Sequence, residues 1–157
     1  MFIIKEVRNR SEELNALSLI KEYISLLPFN LYFQDIEEEL GNFPGEYSLD
    51  NGGTLLLAYI NDFPVGVVAL RHINNEICEM KRLYVKKEVR RRGIGKYLSI
   101  ALMERARELG YKKMRLDTLH SMVSAISLYK SLGFYEIPPY RYNPFPDALF
   151  MEIDLSI

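Results

Sequence analysis

The sequence is poor in the residue types that build disulfides and metal centres. Its 157 residues include one cysteine, Cys78, and two histidines, His72 and His120. A single cysteine excludes an internal disulfide and a cysteine-based zinc site, and two histidines add too few ligands for a metal centre. We therefore expect no metal, and a reducing, cytoplasmic compartment.

Long apolar runs are also missing. The longest, TLLLAYI, has seven residues, and the N-terminal MFIIKEVR lacks the apolar stretch and small-residue cleavage site of a secretory signal. We expect neither a membrane span nor a membrane partner. Because the length suits one hydrophobic core and no linker or repeat interrupts it, we expect a single domain over residues 1–157.

Charge is distributed unevenly along the chain. Residues 81–96 contain eight basic residues and one acidic residue, which is a local charge of +7. Because the net charge of the whole chain is −1, the remaining residues together carry −8. A short basic segment on an otherwise acidic chain favours a compact anionic ligand over a long nucleic-acid track.

The apolar pattern predicts a mixed α/β fold. FIIKEV indicates a first strand, a helix capped by Ser11 and buried through Leu14 and Leu17 follows, and a second helix is expected over residues 32–40. Turn dipeptides ND and NN separate three strands of an antiparallel meander, which are TLLLAYI, PVGVVALR and EICEMKRLYV. A basic loop, a helix, a strand, a helix and a final strand follow, with one right-handed parallel crossover and helices on both faces of the sheet.

The third meander strand changes parity. Its apolar residues stand at even positions at first, Cys78 and Met80, and then at odd positions, Leu83 and Val85. A β-bulge near Lys81 would produce this slip, and so would a strand covered on both faces. A bulge would turn the strand away from its parallel neighbour and leave backbone groups that need a partner.

The segment VRRRGIGKYL, residues 89–98, follows this strand and opens a helix. A glycine-containing turn at a helix N-terminus presents backbone N–H groups to an anion, and three arginines add charge. The loop resembles the pyrophosphate loop of the GNAT acetyltransferase superfamily, through Arg90, Gly93 and Gly95. The helix AISLYKSLGF and the order of elements over nearly the whole chain are also similar to that family.

The resemblance implies acetyl transfer from acetyl-CoA, used as a co-substrate, to an amine. It implies that the backbone of Leu83, Tyr84 and Val85 pairs with the pantetheine arm like an added strand. It also implies that the loop amides hold the pyrophosphate, and the residues concerned are Arg90, Arg91, Arg92, Gly93, Ile94, Gly95 and Lys96. Many members carry an asparagine where this chain has Met122, so the polar contact to the pantetheine arm is expected either to be missing or to be replaced by Ser124 or Ser127.

Two residues are candidates for the proton transfers that acetylation of an amine requires. Glu79, just before the slip, stands where family members often place their base, but it could equally be an ion-pair partner of Lys81. Tyr129 matches the family's usual tyrosine and could donate a proton to the departing thiolate, although it also lies on the apolar stripe of its helix.

The acceptor is expected to be a small-molecule or peptide amine that attacks directly in a ternary complex. Tyr32, Tyr140, Arg141 and Asn143 are expected near the acceptor side, where Arg141 would suit a carboxylate. The loops that carry these residues could equally serve only to cap the core. We expect no nucleic-acid partner, and a homodimer is common in the family. The first alternative is a non-catalytic acyl-CoA sensor, and the second is a polyanion-binding module.

Overall fold

A computed structural model of the chain describes residues 1–27 and 36–156. Seven strands form its central sheet: β1 (Ile3–Glu6), β2 (Thr54–Ile60), β3 (Phe63–His72), β4 (Ile77–Val85), β5 (Lys113–Leu119), β6 (Tyr135–Ile137) and β7 (Ala148–Asp154). Their order in the sheet is β1-β2-β3-β4-β5-β7-β6. Only β4 and β5 pair in parallel. The predicted meander, the parallel crossover and the mixed α/β class are confirmed.

Four α-helices accompany the described sheet: α1 (Arg10–Leu26), α2 (Ile36–Gly41), α3 (Ile94–Glu108) and α4 (Val123–Leu132). Helix α1 packs on one face of β2 and β3, and helix α3 on the other. Because successive strand residues point to opposite faces, Leu56 lies in the core on the α3 side and Leu57 in the core on the α1 side. This two-sided burial explains why TLLLAYI is apolar without alternation. In the part of the chain that the structure describes, no helix is long and apolar enough to cross a membrane.

The first helix begins earlier than the sequence predicts. Asn9, not Ser11, is its N-cap: the Asn9 side chain accepts a hydrogen bond from the Glu12 amide at 2.9 Å. The Glu12 side chain accepts one in return from the Arg8 amide at 2.8 Å. This reciprocal pair satisfies amides that a cap at Ser11 would leave exposed, so Ser11 lies inside the first turn.

Three other expectations differ in detail. Leu14 is exposed, because α1 turns Ala16 and Leu19 toward the sheet instead. Strand β6 was not predicted, since three residues are too few for a period-2 pattern. The helix expected over residues 32–40 falls partly outside the described residues, and its described part is α2.

Strand β4 separates from β5 after three paired residues, the last pair being Glu79 with Arg115. Strand β5 nevertheless continues along β7 as far as Leu119. Beyond Glu79, β4 contains a bulge, where two residues, Arg82 and Leu83, stand opposite the single residue Val68 of β3. Arg82 has the positive φ of 60° that such a bulge imposes on one residue. The predicted bulge is confirmed, one residue further along than the slip suggested.

Candidate active site

Three cavities border the part of β4 that follows its last pair with β5. The loop cavity, about 740 Å³, borders the basic loop, the end of β4 and the start of α4. The central cavity, about 120 Å³, lies between the separated strands and shares Leu83 and Met122 with the loop cavity. The outer cavity, about 520 Å³, lies beside α2 and the loop that follows it. Lys81 lines both the central and the outer cavity, so it stands in the wall between them.

The basic loop ends in an anion-binding geometry. Gly93 caps α3 with a φ of 82°, and the Tyr97 amide donates to the Gly93 carbonyl at 3.0 Å. The amides of Ile94, Gly95 and Lys96 precede this first helical bond, so they have no intrahelical acceptor. They stand at the positive end of the helix dipole and border the loop cavity.

The two loop glycines are needed for different reasons. Gly93 has a backbone conformation that L residues rarely adopt. Gly95 has no positive φ, and a Cβ there would meet Leu128 and Val85 side-chain atoms at 3.8 Å, an ordinary contact distance. Nothing in the described protein excludes a side chain at Gly95. The position therefore fits a ligand that approaches the helix end closely.

The arginines of the loop are placed differently. Arg90 donates from Nε to the Val85 carbonyl at 3.0 Å and so ties the loop to the end of β4. Arg90 and Arg91 line the loop cavity, whereas Arg92 is exposed and is not among the lining residues. Of the two candidate serines, Ser124 lines the cavity and Ser127 does not. Met122 lines it and accepts a hydrogen bond from Thr118 through its sulfur at 3.5 Å.

The end of β4 supplies a free strand edge. Leu83, Tyr84 and Val85 all line the loop cavity. On the β3 side Tyr84 pairs with Val67 and Val85 with Gly66, while β5 offers no partner beyond Glu79. Apart from the Val85 carbonyl, which accepts from Arg90, an extended ligand in the loop cavity would meet a strand edge that has no partner strand.

Glu79 is completely buried beneath the outer cavity. Its Oε1 accepts a hydrogen bond from Arg71 Nε at 2.6 Å and lies 4.0 Å from Lys81 Nζ. Its Oε2 accepts one from the Tyr140 hydroxyl at 2.5 Å and lies 3.5 Å from Arg141 Nη1. Burial alone would raise the pKa of Glu79, but Lys81, Arg71 and the two hydrogen bonds together lower it. The arrangement favours the ion-pair alternative for this residue over direct proton abstraction.

Although the sequence indicated it only as an ion-pair partner of Glu79, Lys81 is a candidate functional residue. Its side chain is 9% exposed, and desolvation lowers its pKa to about 8. Glu79 opposes this effect, while Arg82 and Arg141 add to it. The signal in the sequence was its spacing, since two residues after Glu79 places both side chains on one face of the strand.

Tyr129 lies in the wall of the central cavity. Its ring packs against Phe134 with the centroids 5.8 Å apart, so it is also part of the core. Burial raises the pKa of the Tyr129 phenol, and Tyr23 and Asp117 add to this. The hydroxyl is therefore protonated throughout the physiological range.

The other candidates are spread around the same gap. Asn143 lines the central cavity and donates to Asp117 at 3.2 Å, and Arg141 lines the outer cavity. Tyr32 lies outside the described residues. Cys78 is buried, and desolvation raises the pKa of its thiol to about 12, which leaves it unreactive.

Comparison with known proteins agrees with this geometry. The sequence profile described as the acetyltransferase (GNAT) family matches residues 18–134. The chain belongs to the GNAT acetyltransferase family.

Some relatives of this GNAT chain match it over most of their length. An uncharacterized N-acetyltransferase of Dictyostelium discoideum is 34% identical over 88% of this chain and 92% of its own. A GNAT-family acetyltransferase structure from Staphylococcus aureus is 26% identical with a TM-score of 0.79, covering 99% of each chain. The fold is shared with yncA, a putative acetyltransferase from Salmonella typhimurium whose structure holds its cofactor acetyl-CoA, at 16% identity, a TM-score of 0.73, and 98% and 94% coverage.

GNAT enzymes use acetyl-CoA, and the loop cavity of this chain suits it. The free amides at the start of α3 fit a pyrophosphate, and the position of Gly95 leaves room that a larger side chain would fill. The free edge at Leu83–Val85 runs from that loop toward the central cavity, where Tyr129 and Lys81 stand.

Proposed function

We propose that this GNAT protein transfers the acetyl group of acetyl-CoA to a primary amine, by direct attack while both substrates are bound. Acetyl-CoA supplies the acetyl group as a thioester. In the reaction a C–N bond forms, the C–S bond breaks, the amine loses a proton and the sulfur gains one. The acetyl-CoA enters along the loop cavity, and the amine enters through the outer cavity.

In the first part of the proposal, the basic loop and the end of β4 bind the nucleotide and pantetheine parts of acetyl-CoA. The amides of Ile94, Gly95 and Lys96 hold the pyrophosphate, and Arg91 adds charge at the rim of the same cavity. Arg90 contributes by fixing the loop to Val85. Leu83–Val85 pair with the pantetheine arm, with Ser124 at the opposite wall.

The second part concerns the proton of the amine. Lys81 faces both the central and the outer cavity, so it lies where the amine must meet the acetyl group. A pKa of about 8 leaves about a tenth of Lys81 uncharged at pH 7, and this fraction can accept a proton. We assign proton acceptance to Lys81. We assign to Glu79 the positioning of Lys81, Arg71 and Arg141.

The third part concerns the departing sulfur. Tyr129 lies across the central cavity from the free end of β4, and its phenol stays protonated. It donates a proton to the departing sulfur. Because the thiol has a pKa near 8.5 and burial raises the pKa of Tyr129 above the ordinary phenol value of about 10, this transfer is uphill by more than about 1.5 pKa units. Tyr129 thus acts as a general acid in addition to its packing against Phe134.

The position of Lys81 in the wall between the two cavities carries this proposal. Its test is thiol release from acetyl-CoA with a pool of amines, for the wild type and for Lys81→Met. We expect amine-dependent thiol release that Lys81→Met reduces about 100-fold or more, as loss of a general base does. Lys112→Met, an exposed lysine paired with Glu76, is the matched control and should retain the rate.

Two results would favour the alternatives. Binding of acetyl-CoA in calorimetry without thiol release for any amine would indicate an acyl-CoA sensor. Binding of duplex DNA that weakens steeply with salt and is not displaced by acetyl-CoA would indicate a polyanion-binding module.

A further inference from the structure

We infer that the amine acceptor also carries a carboxylate, and that Arg141 in the floor of the outer cavity binds it. Free amino acids and short peptides with a free C-terminus belong to this class. The inference rests on the proposed function, because it names the acceptor class of the same site.

The first observation is a guanidinium at the outer cavity whose donors are not used by the described residues. Arg141 lines the cavity with a side chain that is 21% exposed, and its guanidinium, including the buried Nη1, donates no hydrogen bond to the described residues. Nη1 lies 3.5 Å from Glu79 Oε2, close enough for charge attraction, so Glu79 holds the guanidinium from its buried side. A ligand carboxylate in the cavity would accept charge-assisted hydrogen bonds from the exposed side.

The second observation is the balance of charge inside the outer cavity. Arg71, Lys81 and Arg141 line it, and all three surround the single carboxylate of Glu79. When Lys81 is uncharged, the two positive charges of Arg71 and Arg141 still exceed the one negative charge of Glu79. One ligand carboxylate would balance that excess.

The acidic residues of the same cavity do not cancel this charge. Glu39 is held by both Nε and Nη2 of Arg82, at 3.0 and 2.8 Å. Glu46 reaches Arg71 Nη1 only at 3.3 Å, from a side chain that is 71% exposed, so solvent screens it. Glu38 is exposed at the rim. The floor of the cavity is therefore cationic and its rim acidic, which suits a ligand that bears both a carboxylate and an ammonium group.

The third observation is the placement of the two sites. Lys81 Nζ and Arg141 Nη1 lie within 4.0 Å of the same Glu79 carboxylate, on Oε1 and Oε2 respectively. An amine at Lys81 and a carboxylate at Arg141 therefore belong to one small molecule or to one end of a peptide. A cavity of about 520 Å³ accepts ligands of that size.

The test compares matched acceptors in the wild-type enzyme. Each of the 20 common L-amino acids is assayed beside its carboxamide, which keeps the amine and the side chain but removes the negative charge. The value of kcat/KM for the preferred amino acid should exceed that for its carboxamide about 10- to 100-fold, the range for a charge-assisted hydrogen bond. A dipeptide series tests whether a free C-terminus serves as well.

A variant tests whether Arg141 is the residue concerned. Arg141→Gln should raise the KM of the amino acid about 10- to 100-fold and change the KM of acetyl-CoA less than threefold. The carboxamide rate is compared on its high-pH plateau, because Arg141 also lowers the pKa of Lys81, and there it should change less than threefold. Arg141→Lys should restore part of the affinity, and Arg8→Gln, at an exposed arginine paired with Glu6, should change nothing. A purely structural role for Arg141 would lower the rates with acid and carboxamide alike.

The possible outcomes separate the inference from the proposed function. Acetylation of carboxamides or simple amines as efficiently as the matched acids would overturn the inference and leave the proposed function standing. If no amine of any kind supported thiol release, both the inference and the proposed function would be overturned. A preference for acids that persists in Arg141→Gln would overturn the assignment to Arg141.

Discussion

Gly95 allows the cofactor site to be tested apart from the fold. A Cβ at this position would lie 3.8 Å from both Leu128 and Val85, so alanine fits without strain. Replacing a helical glycine by alanine stabilises a protein by about 0.5–1 kcal/mol, which for a chain of this size corresponds to a Tm increase of about 1–4 °C. Leucine has nearly the same helix propensity. Its additional atoms, however, would enter the loop cavity that Gly95 lines.

We therefore expect Gly95→Ala and Gly95→Leu to melt at or above the wild-type Tm but to differ in binding. Gly95→Ala should bind acetyl-CoA within about threefold of the wild type. Gly95→Leu should bind about 10- to 100-fold more weakly, because the side chain keeps the pyrophosphate from the loop amides, and each charge-assisted hydrogen bond contributes about 1.5–3 kcal/mol. Thermal melts and isothermal titration calorimetry measure both quantities. Wild-type affinity in Gly95→Leu would refute the placement of the pyrophosphate.

Further predictions concern the loop and the proton transfers. Gly93→Ala should lower stability by about 1 kcal/mol even without ligand, because its φ is 82°; an unchanged Tm would contradict this. Glu79→Gln should move the inflection of the kcat against pH profile about one pH unit lower, since Glu79 raises the pKa of Lys81. A rate loss confined to low pH would instead identify Glu79 as the base. Tyr129→Phe should reduce kcat about 100-fold or more with little change in Tm or in the KM of acetyl-CoA, whereas unchanged kcat would leave Tyr129 a packing residue.

The sequence indicated the features of the fold that depend on local patterns. The change of parity between Met80 and Leu83 indicated the bulge in β4, because a bulge adds one residue to one strand. Gly93 was predicted in the turn that opens a helix, and it has a positive φ at the N-cap of α3. The cap at Asn9 was missed because Asn9 and Ser11 are both good caps and only the backbone geometry distinguishes them.

The long-range polar contacts of the site could not be predicted, because they join distant segments of the chain. Arg82 binds Glu39, which is 43 residues away in the chain, and Glu79 accepts a hydrogen bond from the hydroxyl of Tyr140, which is 61 residues away. Neither pair follows from spacing along a helix or a strand. The lowered pKa of Lys81 has the same origin, since it depends on burial and on Arg141 from another loop. The sequence could nominate Glu79, but the contacts that favour an ion-pair partner over a base come from distant segments.

The central claim is that acetyl-CoA lies in the gap between β4 and β5 with its pyrophosphate on the first amides of α3. The most direct measurement is a titration of the ¹⁵N-labelled protein with CoA, followed through its backbone amide resonances. The account predicts the largest shifts at Gly93–Lys96, together with slower hydrogen exchange at Leu83–Val85 as their edge is covered. Saturable binding that leaves both segments unperturbed and shifts amides elsewhere would contradict it.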